Sequence, residues 1–309
     1  MQISINGSTT LFAADIDQVI DGGRQAAEDG FAGYWLAQMG LIDALTVLAA
    51  LAPHAPGIEL GTAVNATYPI HPTAMAAKAL TTQALCEGRL TLGLGVNHAP
   101  IVEEVWGRPF EPAIRHITDY LSGLQGLFDE GRASHVGESF TTRFEGLRPT
   151  DDPPGILLAA LGPQMLRVAG RRADGTILWM TGPKTIASHI APTINAAAEE
   201  AGRPPPRIVC SLPICVTDDD TEVRAIADEV LANYRELPSY RAMLDREGVA
   251  VTHNHDHPHF GAHHLQPSCE GERPTMCGMH GIEVNIHWHA ARAPDSREHR
   301  HLVLVKTQA

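Results

Sequence analysis

The feature that most constrains this chain is a repeated alternation of short apolar strands with helices. Residues Gln2 to Asn6, Gly33 to Ala37, Ile58 to Val64, Leu90 to Val96, Gly155 to Ala160, Gly175 to Met180 and Arg207 to Val216 read as strands. Each is followed by a segment with 3.6-residue apolar spacing or a clear helix start. Ile16, Val19, Ile20 and Ala27 follow an acidic turn at Asp15 and Asp17, and Gly30 ends that helix. Pro72 opens another helix, Pro112 a third and Pro163 a fourth. Several strands are apolar on both faces, as a parallel sheet covered on both sides requires.

Alternating βα units build either an open doubly wound sheet or a closed barrel. No strand runs into a GxGxxG turn, and seven regular units exceed what most open sheets use. The expected fold is therefore an α/β (β/α)8 TIM barrel occupying residues 1–250. Its eighth strand is not obvious. At about Val251 the composition changes: 11 of the 17 histidines lie between His253 and His301. Residues 251–309 thus read as an atypical tail, and three explanations stay open. It is a shifted or appended segment, a divergent eighth unit using Ile282 to Trp288 as its strand, or a metal-binding tract built on His253, His255, His257 and His259.

The formal charge of −13 argues against nucleic acid as a partner, because neutralising phosphates needs a basic face. No run of 18 apolar residues suggests a membrane span, and Met1 to Gly7 lacks the pattern of a signal peptide. The five cysteines form no CxxC pair and suit free thiols. A cytoplasmic enzyme acting on a small molecule is the expectation.

In a barrel of this kind the chemistry sits on the loops that leave the strands. Those loops are Asn6-Gly7, Gln38-Met39, Thr62 to His71, Gly95 to His98, Leu161-Gly162-Pro163 and Thr181 to Lys184. Gly162 and Pro163 open a helix with free amides, and Arg167 lies one turn in, which makes a phosphate seat or a plain helix start. His98 is placed to bind a cofactor or move a proton, although an isolated histidine is more often structural. His71 precedes Pro72, where capping is at least as natural a role. There is no Ser-His-Asp order, HExxH or Walker motif, and outside the tail no metal site. Such a mouth needs a cofactor for the hard chemical step.

Several segments, taken in order, resemble the luciferase-like monooxygenase superfamily and its deazaflavin-dependent oxidoreductases. They are Gly33 to Gln38, Leu60 to Val64, Tyr68 to Pro72, Gly88 to Gly95, Trp106 to Glu111, Leu158 to Pro163, and Ala173 to Gly175 leading into Trp179. The resemblance implies a barrel of the bacterial-luciferase-like type with a cofactor ring over its C-terminal mouth. It implies a bulge with a non-proline cis peptide in the third strand, around Gly61 to Val64. It also implies a phosphate grip near Gly95 to His98 and Leu161 to Pro163. The cofactor-binding residues assigned on these grounds are Thr62, Ala63, Val64, Gly95, Val96, Asn97, His98, Ala160, Leu161, Gly162, Pro163 and Thr181, with His98 also the catalytic candidate. Coenzyme F-420 is the leading cofactor and FMN the alternative. The corresponding activities are hydride transfer to or from a small organic substrate, or flavin monooxygenation; an inactive cofactor-binding barrel is the third reading. A homodimer fits the family pattern. The departure from that pattern is the last βα unit, which is not recognisable after Ala250.

Overall fold

The protein is described by a computed structural model covering residues 2–110, 112–213, 231–248 and 283–287. The strands are β1 (Ile3–Asn6), β2 (Gly33–Leu36), β3 (Glu59–Thr62), β4 (Asn65–Ala66), β5 (Leu90–Gly95), β6 (Arg132–Val136), β7 (Thr141–Glu145), β8 (Gly155–Ala159), β9 (Gly175–Trp179), β10 (Arg207–Pro213) and β11 (Glu283–His287). The helices are α1 (Ile16–Glu28), α2 (Ala44–Leu51), α3 (Pro72–Leu85), α4 (Ala113–Glu130), α5 (Pro163–Arg172), α6 (Pro183–Thr185), α7 (Ala191–Glu200), α8 (Ala232–Glu236) and α9 (Pro238–Glu247). A π-helical turn, Ile186–Ile190, joins α6 to α7.

Parallel pairing runs β11-β1-β2-β3-β5-β8-β9-β10 and returns from β10 to β11, so the main sheet closes on itself. The fold is the expected luciferase-like TIM barrel. Glu283–His287 pairs with β1 on one side and β10 on the other, where a divergent eighth unit would put its strand. The histidine tract at 253–259 and the last residues of the strand expected from Arg207 to Val216 lie outside the described residues.

The helices begin and end where their sequence signals stand. The carboxylates of Asp15 and Asp43 accept from the amides of Gln18 and Thr46, capping α1 and α2. His71 caps α3 through Nδ1, which accepts from the Thr73 amide at 3.2 Å, so its capping role holds. Two segments differ from the reading of the sequence. The third strand stops at Thr62 instead of Val64, because the chain kinks and resumes as β4 along β5. The sequence also reads as a small hairpin around Gly137 to Phe144, and the one in the structure is longer, since β6 pairs with β7 from Arg132 to Glu145.

Inside the barrel, alternate residues of each strand point to the axis and stack in layers. At the floor, the Arg207 guanidinium makes two bonds of 2.6 Å to the Glu59 carboxylate, and the Thr91 hydroxyl donates to the same group. Arg207 also lies 5.6 Å from the Trp35 ring centroid. The middle layer is Trp35, Leu157, Ile177 and Val209, with Ala63 and Val64 packed on it. Trp35 fits because its neighbour on β3 is glycine: a Cβ on Gly61 would lie 2.2 Å from the indole.

Gly61→Ala is therefore expected to lower the free energy of unfolding by about 3 kcal/mol in urea denaturation, an overpacking effect. In a Trp35→Leu background the same change should cost clearly less, because the two residues compete for one space.

Candidate active site

The layer above Trp35 forms the C-terminal mouth, and most of its described inward positions are small and uncharged. Ala63 follows the end of β3, Gly95 ends β5, Ala159 ends β8, Ser211 lies on β10 and Asn6 ends β1. Trp179, at the end of β9, is the large exception. Asn6 donates to the Ser211 hydroxyl at 3.1 Å and accepts from the Ser8 amide at 3.1 Å. The Ser8 hydroxyl in turn accepts from the Ala37 amide at 2.7 Å, which ties the ends of β1, β2 and β10 together.

Beside this network, next to the end of β2, is the kink after β3. The peptide bond between Ala63 and Val64 is cis, within the span where the family resemblance places one. Thr62 is fully buried, and its hydroxyl donates to the Gly93 carbonyl at 2.9 Å and accepts from the Gly93 amide at 2.8 Å. That clamp sets the height at which the chain leaves β3. Two glycines on β5 make room for the kinked segment. A Cβ on Gly93 would lie 1.9 Å from the Thr62 carbonyl oxygen, and one on Gly95 would lie 2.8 Å from Val64 Cγ2 and 3.3 Å from Ala159 Cβ. Val64, Gly95 and Ala159 thus make one continuous low surface.

The loop beyond the kink is held from outside the barrel. Thr67 donates its amide to the Gly95 carbonyl at 2.9 Å, and its hydroxyl lies 2.9 Å from Nε2 of the buried His116. Tyr68 stacks on His116 with centroids 3.7 Å apart, and Arg108 donates to the Tyr68 carbonyl at 2.7 Å. This explains the place of the Trp106 to Phe110 segment in the chain: it straps the third loop.

Each residue expected at the site falls at the end of β3, β5, β8 or β9, or in the loop that comes after it. Val96 is half-buried. Asn97 is exposed in the left-handed region at φ 63°, with its side chain accepting from the His98 amide at 2.8 Å. His98 is half-buried, with its ring 5.8 Å from that of Tyr240, and burial holds its pKa below 6.5. Ala160 turns into the outer core, and the Leu161 carbonyl lies 2.9 Å from His189 Nε2. Gly162 and Pro163 are exposed at the start of α5, where no side chain caps the free amides. Thr181 is buried; its hydroxyl donates to the Trp179 carbonyl at 3.3 Å, and its own carbonyl accepts from the Cys210 thiol. Burial pushes that thiol up to about 12, the state of a structural cysteine.

Three mouth aromatics were not assigned to the site from the sequence: Trp179, Tyr234 and Tyr240. Trp179 was detectable, since it stands two residues after the inward Ile177. The helix carrying Tyr240 had its own signal in Pro238 at the first position and Gly248 just past the end, where φ is 82°. A separate groove of about 710 Å³ lies outside the barrel between α3 and the β6–β7 hairpin, lined by residues including Ala77, Leu80, Phe144 and Leu147. It shares no residue with the mouth layer. Among the described residues no helix is long and apolar enough to cross a membrane.

The family described as luciferase-like monooxygenase matches residues 2–268. A 5,10-methylenetetrahydromethanopterin reductase from Methanolobus tindarius is 24% identical over 231 residues, covering 73% of this chain and 69% of that one. Among solved structures, the coenzyme F-420-dependent tetrahydromethanopterin reductase from Methanopyrus kandleri superposes with a TM-score of 0.66 at 21% identity, over 80% of this chain and 76% of that one. The oxygenating constituent of 3,6-diketocamphane monooxygenase from Pseudomonas putida, a type II Baeyer-Villiger monooxygenase in complex with FMN, gives a TM-score of 0.65 at 16% identity, over 81% and 80%.

The burial of His98 has a consequence for stability. Its folded pKa is depressed below the 6.5 of the free side chain, so the unfolded chain takes up the proton first as pH falls. Its contribution is complete above pH 6.5 and is lost as pH drops toward the depressed folded value. Urea midpoints measured from pH 7.5 down to about 5 should decline less steeply in His98→Gln than in the unaltered protein.

Proposed function

The chain belongs to the luciferase-like monooxygenase family, and from that membership we propose that it is an oxidoreductase transferring a hydride between coenzyme F-420 and a small organic substrate. The observation that carries this reading is the mouth layer: Ala63, Val64, Gly95 and Ala159 form a low surface above Trp35, suited to one face of a planar ring.

The residues present fit such a group. The Ala63–Val64 segment would serve as a backrest for the ring, and its height is fixed from below by Trp35 and from the side by the Thr62–Gly93 clamp. Gly95, Val96 and Asn97 offer backbone and amide groups at the ring's edge. The amides at the start of α5, after Gly162 and Pro163, suit a phosphate, with a favourable helix dipole and no capping side chain in competition. Ala160, Leu161 and Thr181 support the backbone around that position. When bound, the deazaflavin supplies a ring carbon that carries hydride where a flavin has its reactive nitrogen.

The protein's own part is positioning and proton management. The small layer would hold the ring flat, so that a substrate resting on its other face would be oriented for transfer. His98, kept neutral by burial, is the group placed to take a proton from a substrate atom. A small molecule is the expected partner, and the catalytic domain is assigned to residues 1–250 with the closing strand drawn from beyond it.

Titration of the full-length protein with F-420 and, separately, with FMN tests the assignment through cofactor and protein fluorescence. Micromolar affinity for F-420 with weaker FMN binding is the expected result. A preference for FMN, with oxygen consumed when the bound flavin is reduced, would replace the deazaflavin reading with a monooxygenase.

A further inference from the structure

We propose that Trp179, Tyr234 and Tyr240 form a substrate wall that selects neutral, flat, conjugated molecules over saturated ones of the same size. The proposal rests on the mouth being the active site and adds the substrate class, which neither the family nor the relatives specify for this chain.

The three rings form a chain across one sector of the mouth. Trp179 meets Tyr234 edge-on with centroids 6.2 Å apart, and Tyr234 meets Tyr240 edge-on at 4.9 Å. Tyr240 reaches His98 at 5.8 Å. Trp179 ends β9 and His98 comes after β5, and β8 lies between these strands in the barrel. The aromatic arc therefore spans the β5–β8–β9 sector, over the small residues Gly95 and Ala159.

This arc is anchored. Helix α9 docks on the end of α6, where the Thr185 amide donates to Glu247 Oε1 at 2.6 Å and the Thr185 hydroxyl donates to the Met243 carbonyl at 3.2 Å. Met243 and Leu244 on the same helix are buried. Tyr240 is thus fixed by packing that does not involve the mouth. Burial raises the pKa of both tyrosines, so they remain neutral phenols.

The chemistry of recognition is set by the groups that line the space. Among the described residues of the mouth layer, Asn6, Ala63, Gly95, Ala159 and Ser211 carry no charge, and the wall adds three aromatic rings, two of them phenols. Edge and face contacts reward a flat conjugated partner beyond its buried area, whereas a saturated ring of equal volume gains only the area.

The test is calorimetric titration of the full-length chain with 2-naphthol and with trans-2-decalol, its saturated counterpart. Naphthol should bind about tenfold more tightly than decalol, which is the scale of one or two aromatic contacts. Tyr234→Ala and Tyr240→Ala should each remove most of that preference, and Tyr234→Phe and Tyr240→Phe should retain it. F-420 affinity measured on the same proteins should stay within about twofold, because the wall is separate from the ring's shelf. Equal binding of the two probes, absence of naphthol binding, an unchanged preference in the alanine variants, or parallel loss of F-420 and naphthol would each overturn the wall. Failure of the unaltered protein to bind F-420 would instead remove the cofactor reading, while the naphthol–decalol comparison in that protein would still decide the wall.

Discussion

Trp35 fills the barrel at half height, and the geometry above it depends on how that ring is accommodated. Its indole lies across the axis against Leu157, Ile177 and Val209, over a floor closed by the Arg207–Glu59 pair. So large a side chain in so narrow a cylinder needs a strand without a Cβ beside it, which Gly61 provides. Above the ring, Ala63 and Val64 rest directly on this layer. The floor of the mouth is therefore a packed, apolar surface at a fixed height, and the side chains above it decide only shape and chemistry.

From that height the rest of the site is a sequence of close approaches. Gly93 lets β5 run beside the Thr62 carbonyl, and Gly95 admits Val64. The third loop is then strapped through Thr67, the Tyr68–His116 stack and Arg108, well away from any reacting atom. This division, with rigid support outside and small residues inside, is what a site for a planar cofactor requires, since positional errors in such sites are costly.

Much of this was legible in the sequence. The strands and helices announced themselves through apolar spacing, prolines at helix starts and glycines at their ends, and the loops proposed to carry the site were chosen by asking where each strand finished. The order of weak segments, from Gly33 to Trp179, carried the family. The kink after Thr62 was visible only through the resemblance, because the run from Ile58 to Val64 looks like one strand to any test of local propensity. Tyr234 and Tyr240 escaped for another reason. They reach the mouth from helices that come after the seventh strand, and that placement depends on the docking of Glu247 and Met243 onto Thr185, a contact across some 60 residues that no local pattern encodes. The eighth strand lay between these cases: its alternation could be seen in Ile282 to Trp288, but its partners β1 and β10 could not.

The proposed seat of the cofactor ring is the mouth above Trp35, and not the outer groove beside α3. Hydrogen–deuterium exchange of the full-length protein, with and without F-420, distinguishes the two places. Binding in the mouth predicts slowed exchange in the segments around residues 62–68, 94–98 and 160–166, with the outer α3–hairpin surface unchanged. Protection confined to residues 73–81 and 144–149 at the outer groove would contradict it.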